Sequence, residues 1–218
     1  MRWNIGLLYT AALLGLGPGE TLAADTSVVR DAETGFTFSQ YSAAYVIGST
    51  IQFRVAVPSP APSNYDIVLQ IVAPTAVGWT GLAWGATMLN NPLTIGWASS
   101  GGQVVGSVRR TSVRQAPQLF SGATLQLLKN GSKVNGTHWQ MTAKCSGCST
   151  FAFGSGGTTN KTLNPTGSNR LAFAYAKARP SSASSAATIS VHDVYSYWDH
   201  DFAQAGNVDF DRLVQLNA

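Results

Sequence analysis

Three methionines and three histidines are all that this chain of 218 residues contains. Past Met1 the thioethers are Met88 and Met141, and the imidazoles are His138, His192 and His200. Two of them stand in distinctive surroundings. Met88 lies in GWTGLAWGATMLNNPLTIGW (78–97), and His192 lies in ATISVHDVYSYWDHDF (187–202). A soft thioether and an imidazole suit the two axial positions of a low-spin haem iron and hold it at a fairly high reduction potential. Their separation along the chain decides nothing by itself. A lone Met is often core filling, and a lone His beside a turn can be a backbone hydrogen-bonder. His138 and His200 read as structural. Trp84, Gly85 and Trp97, near Met88 in sequence, offer aromatic and small side chains for the walls of a flat apolar slot.

The elements that would position these groups read as short strands separated by Gly, Pro, Ser and Asn. Ile51, Phe53, Val55 and Val57 alternate with Gln52 and Arg54, the period of a half-buried strand. Further strands are expected over 35–41, 66–72, 78–84, 93–98, 104–109, 170–176 and 188–195. Strands at 124–128 and 137–143 form a hairpin around Asn130-Gly131, and 154–169 is a loop. Only 207–216 has helical spacing. About ten short strands with turn signals between them predict one all-β domain, an antiparallel sandwich or barrel.

The start of the chain stands apart from this pattern. Met1-Arg2, the apolar run 5–16 and Thr21-Leu22-Ala23 read as a secretory signal over 1–23, leaving 24–218 as the mature, exported domain. No segment has the run of about 18 apolar residues that would span a membrane. Three sequons, at Asn130, Asn135 and Asn160, fit N-x-S/T and are candidate glycan acceptors, whereas Asn164 is followed by Pro165. In an exported chain Cys145 and Cys148 of CSGC are expected to pair as a disulfide. Ser149 stands where a covalent c-type haem motif needs His.

Charged residues make up 11% of the chain, against about 25% in an ordinary globular protein. Between Asp66 and Asp193 there is no Asp or Glu, while ten Lys or Arg fall in that span. A basic body of this kind can meet an anionic group, either a cofactor carboxylate or an acidic partner. Nucleic acid is not expected, because the cations are scattered and the chain is exported.

The words around Met88, Cys145 and His192 resemble the secreted cytochrome b domain of fungal cellobiose dehydrogenase and its stand-alone relatives. The carriers are GLAWGATM followed by PLTIGW, then GTHWQMTAKCSGCSTF (136–151), then SVHDVYSYWDHDFAQA, in that order. The resemblance spans about 34–205. It implies an immunoglobulin-like antiparallel β-sandwich of two sheets holding one non-covalent haem b, with Met88 and His192 as iron ligands. It also implies a monomeric one-electron carrier. Electrons would come from a flavin dehydrogenase or another reductant and pass to a copper polysaccharide monooxygenase, ferric iron or a quinone. Reduction of ferric iron would count as an enzyme activity, and delivery to a protein would not.

One departure concerns the haem propionates. Where relatives carry a word like R-aromatic-A-T-G-Y, this chain reads Arg109-Arg110-Thr111-Ser112-Val113-Arg114. Arg110 or Arg114 is therefore expected to pair with a propionate, since a guanidinium matches a carboxylate bidentately. The chain stops at Ala218 without a flavin-binding domain, so the electron donor is expected to be another molecule.

Rival chemistries fit less well. A glycoside hydrolase needs two carboxylates flanking the bond, and the acid-free span leaves them only towards the two ends. A copper monooxygenase would need His at the mature N-terminus. A blue-copper site built from His138, Met141, Cys145 and Cys148 lacks a second nearby His, and a disulfide would consume the thiolate. The serious alternative is a haem-free carbohydrate-binding module that uses Trp79, Trp84, Trp97 or Trp139 as sugar platforms.

Overall fold

The computed structural model describes residues 25–218. The secretory segment expected over 1–23 lies outside the described residues. In chain order the strands are β1 (Ser27–Arg30), β2 (Thr37–Val46), β3 (Ser49–Pro58), β4 (Ile67–Pro74), β5 (Trp79–Ala83), β6 (Leu93–Ala98), β7 (Val104–Arg110) and β8 (Gln118–Leu119). They continue as β9 (Thr124–Leu127), β10 (Lys133–Val134), β11 (His138–Ser146), β12 (Thr150–Phe153), β13 (Thr159–Thr162), β14 (Ser168–Ala176), β15 (Val194–Asp201) and β16 (Gly206–Asn207). The one α-helix among the described residues, α1 (Phe210–Asn217), follows.

Two sheets face each other. One runs β1-β2-β3-β4-β11-β10, with β9 added to β11 and β16 added in parallel to β3. The other runs β15-β14-β5-β6-β7-β8 and is antiparallel throughout. β12 and β13 form a separate ribbon. The expected all-β sandwich of two antiparallel sheets is what the chain forms.

Alternation sets which residues meet between the sheets. Ile51, Phe53, Val55 and Val57 of β3 are buried, as their spacing predicts. Phe53 packs against Phe173 of β14 and Trp198 of β15, with ring centroids 5.7 and 5.6 Å apart. Gln52 and Arg54 turn to the other side, where Arg54 bonds Gln40 and Gln70 at 2.6 Å each. Cys145 and Cys148 are bonded as a disulfide and fully buried. Helix α1 covers the far face of the larger sheet, where Phe210 meets Phe36 at 5.8 Å and Asn217 donates to Thr34 O at 2.9 Å.

Three sequence expectations change, the first being the loop expected over 154–169, which contains β13 (Thr159–Thr162) because these residues pair with β12. The hairpin at 124–143 pairs as expected, Leu127 opposite Ala143, but β10 is inserted in its connection. The strand expected over 188–195 begins at Val194; residues 177–193 form no strand and run as a strap over the outer face of the six-stranded sheet. Thr188, Ile189 and Ser190 alternate in polarity because Ile189 is buried against that face beside Trp79, whose Nε1–H donates to Ser190 Oγ at 3.2 Å.

His200 serves the core. It is fully buried, Trp198 Nε1–H donates to its Nδ1 at 3.0 Å, and its Nε2–H donates to Ser39 O at 3.1 Å. Burial pushes its pKa from 6.5 down to about 3, against the opposing pull of the Ser39 bond. The unfolded chain therefore takes up this proton first as pH falls. The stability contributed by neutral His200 is complete above about pH 6.5 and is lost towards pH 3, at roughly 1.4 kcal/mol per pH unit. Urea midpoints measured at neutral pH and between pH 4 and 5 should fall in this sense, and His200→Phe should flatten that part of the profile.

Candidate functional site

The six-stranded sheet has one face in the core and one facing outward. Leu82, Phe173 and Trp198 belong to the inner face. The residues between them on β5, β14 and β15 form the outer face. There, Ala172 and Ala174 of β14 lie beside Ala83 and Gly81 of β5 on one side, and beside Tyr197 and Tyr195 of β15 on the other. A Cβ at Gly81 would come within 3.0 Å of the Ile95 side chain on β6, so a side chain here would crowd its neighbour. Tyr195 and Tyr197 are 69% and 56% exposed, unusually open for ring side chains beside an alanine floor. The result is a strip with a floor of methyl groups and backbone and an aromatic wall along one edge.

The two chemistry-bearing residues sit at opposite ends of this strip. Met88 lies in the loop that leaves β5 after Ala83, which is level with Ala172. His192 precedes β15 at the other end, where Asp193 N–H donates to Tyr175 O at 2.7 Å. Ala172 and Ala176 are four residues apart on one strand, about 13 Å. Met88 and His192 are both half-buried, and the His192 ring packs edge-on to Tyr195 at 5.2 Å.

Each end is held by specific bonds. The strap that leads to His192 is bolted down from below. Trp97 Nε1–H donates to Ser182 O at 3.1 Å, and Arg109 Nη2 donates to Ser185 O at 2.8 Å and Ala187 O at 2.6 Å. Arg109 is buried and also bonds Ser107 Oγ at 3.0 Å and Pro117 O at 3.4 Å. Nothing singled it out in the sequence, although alternation along β7 sends Arg109 outward and Arg110 inward. The Met88 loop is closed by hydrogen bonds from Asn91 and tied to its neighbour by Asn90 N–H donating to Thr111 O at 2.8 Å.

The remaining expected site residues divide. Trp84 does not wall the strip: it follows Leu82 in parity, is fully buried in the core, and its Nε1–H donates to Thr94 Oγ1 at 2.9 Å. Trp97 lies on the outer side but is buried under the strap, at the His192 end. The Arg110 guanidinium donates to Ala152 O at 3.1 Å and lies over the Phe120 ring at 5.4 Å. Arg114 is exposed, on the loop that Thr111 ties to the Met88 loop, and makes no ion pair among the described residues. His138 is exposed at the start of β11. All three sequon asparagines are exposed; the Asn130 Nδ2 donates to Leu216 O at 3.2 Å, whereas Asn135 uses only its Oδ1, which accepts from Thr137 N–H and His138 N–H. The sugar platforms of the rival reading are closed: Trp79, Trp84, Trp97 and Trp139 are all buried.

The donor set is informative. Among the described residues no three His, Cys, Asp or Glu side chains converge on a metal-sized point. Met88 and His192, a thioether and an imidazole at the ends of the apolar strip, are the residues that could hold a metal-bearing cofactor here. A family model for the cytochrome domain of cellobiose dehydrogenase matches residues 29–212. The chain belongs to that family. A pyrroloquinoline quinone-dependent pyranose dehydrogenase of Coprinopsis cinerea is 30% identical over 166 residues, which cover 72% of this chain and 20% of that protein. This cytochrome domain thus matches about one fifth of its curated relative. In fold it is similar to the cytochrome b domain of Coprinopsis cinerea pyranose dehydrogenase, with TM-score 0.74 and 24% identity over 88% of this chain and 95% of that one. It is also similar to the cytochrome domain of Myriococcum thermophilum cellobiose dehydrogenase, with TM-score 0.76 and 20% identity over 89% and 97%. No helix among the described residues is long and apolar enough to cross a membrane.

Proposed function

We propose that this cytochrome domain holds one haem b between Met88 and His192 and carries single electrons outside the cell. The observation that supports it most is a thioether and an imidazole at the two ends of one apolar strip, in a chain of this family. Bound there, a haem would supply a reversible one-electron couple. The chain's own residues would do the rest. Met88 and His192 would both hold the iron, so the site would relay electrons instead of binding oxygen, and the thioether would favour the ferrous state. Ala172, Ala174, Gly81 and Ala83 would leave room on the sheet for the group, and Tyr195 and Tyr197 would flank it.

Arg114, in preference to Arg110, is the propionate partner in this reading, because the Arg110 guanidinium already has its own contacts. The midpoint potential should fall in Arg114→Ala and stay near that of the unaltered protein in Arg110→Ala; the same value in all three would refute the pairing. The donor would be a secreted sugar dehydrogenase, whether flavin-dependent or, as in the Coprinopsis cinerea relative, dependent on pyrroloquinoline quinone. Acceptors would be a copper polysaccharide monooxygenase, ferric iron or a quinone. In an exported protein Asn135 and Asn160 would be the glycan acceptors. Deglycosylation should then reduce the mass of Asn130→Gln as much as that of the unaltered protein.

The deciding experiment is the absorbance spectrum of the haem-supplied protein, oxidised and then reduced with dithionite. Sharp α and β bands on reduction are expected. A protein that stays colourless with added haem would overturn the reading.

A further inference from the structure

We propose that Asn91 is the positioning residue that keeps the Met88 sulfur at the iron. This rests on the haem reading above and deepens it. Met88 lies in a nine-residue connection between β5 and β6, in the left-handed turns of which two residues are not glycine. Ala86 has φ 62° and Asn90 has φ 57°. Side chains with a Cβ populate that region at a cost, so the loop needs something to hold it there.

Asn91 supplies the hold. Its side chain is fully buried. Its Oδ1 accepts from Gly85 N–H at 2.9 Å, and its Nδ2 donates to Thr87 O at 2.6 Å and to Leu89 O at 3.0 Å. The two carbonyls it grips therefore flank Met88 on either side. The loop is also packed too tightly to slide. A Cβ at Gly85 would fall 2.7 Å from the Phe153 ring and 2.9 Å from Asn91 itself. One carboxamide thus gathers the start, the middle and the far side of the loop into a single closed ring of bonds. A carboxylate of the same shape could keep the Gly85 bond but would oppose an oxygen to two carbonyl oxygens, leaving buried acceptors without a donor.

A matched buried amide exists elsewhere. Asn169 accepts from Asn164 N–H at 2.8 Å and donates to Asn164 O at 2.8 Å and Gly167 O at 3.2 Å, closing the turn before β14. It has the same bonding pattern and no part in the Met88 loop.

The test compares haem-loaded unaltered protein with Asn91→Asp, Asn91→Ala, Asn169→Asp and Met88→Ala. The readouts are the unfolding midpoint, haem content, the sulfur-to-iron charge-transfer band of the ferric protein, and carbon monoxide binding by the ferrous protein. Both Asn91 variants are expected to keep haem, to lose the sulfur band and to gain carbon monoxide binding, as Met88→Ala does. Asn169→Asp is expected to lose stability with its band intact. Should Asn91→Ala fail to fold, the isosteric Asn91→Asp carries the test. An Asn91→Asp protein that keeps the sulfur band and rejects carbon monoxide would overturn the role of Asn91. A Met88→Ala protein indistinguishable from the unaltered one would instead overturn the ligand assignment beneath it.

Discussion

His192→Ala is expected to give a folded protein that loses its haem, and Met88→Ala one that keeps the haem at a lower potential. The asymmetry follows from the two donors. An imidazole nitrogen binds ferric and ferrous iron well, so its removal takes away the stronger attachment. A thioether favours the ferrous state, so its removal mainly shifts the balance between the two oxidation states. Each tenfold loss of ferrous preference lowers a one-electron potential by about 59 mV. Both side chains are half-buried and neither anchors the core, so the unfolding midpoints of the haem-free proteins should stay close together. Haem content and potentiometric titration of the two variants check this. Equal potentials in Met88→Ala and the unaltered protein would remove Met88 from the iron.

Arg109→Ala should be the most damaging single change on the outer face. Its guanidinium reaches Ser107, Pro117, Ser185 and Ala187, three of them through main-chain carbonyls. Burial pulls its pKa below the usual arginine value, but no plausible shift discharges it. Truncation leaves those carbonyls without a donor, at about 1–3 kcal/mol for each that water does not reach. Arg109→Lys should recover little, because one ammonium cannot span the fork that a guanidinium offers. The loss should appear first in the strap. Amide exchange over 182–190 should quicken more than exchange in β11, and haem should leave faster, because the strap delivers His192. Uniform exchange across the molecule would mean that Arg109 supports the sandwich at large and not the strap.

Much of the sandwich could be read from alternation and turn residues. β6 runs over 93–98 as expected, and β3 shows its two faces in the order of its residues. Strands buried on both faces, such as β5, are legible as apolar runs but do not reveal which side chain faces which way. That ambiguity misplaced Trp84, which is adjacent to the Met88 loop in the chain yet points into the core. The strap was misread for a related reason: a segment lying flat on a sheet buries every second residue just as a strand does. β15 escaped in part because it is an edge strand with tyrosines outside and Trp198 and His200 inside, so apolar and polar residues do not sort by face. Met88 and His192 stand out in the sequence through scarcity and their neighbouring words. Asn91 and Arg109 carry no such signature, since a buried amide and a buried guanidinium look like loop and surface residues until the bonds that hold them are seen.

The register also says something about when the site can come into being. Met88 hangs from β5, but the strip beside it is floored by β14 and walled by β15, and His192 arrives only with the last strand of that sheet. The closing segment then seals the molecule by joining its beginning: Asn207 bonds Thr37 and Asn217 bonds Thr34. Contacts between the two ends of a chain are the slow ones to form. Before β14 and β15 are in place, the chain would have one of its two candidate iron ligands and no strip beside it. Cofactor capture would therefore follow the docking of β14, β15 and the segment behind them.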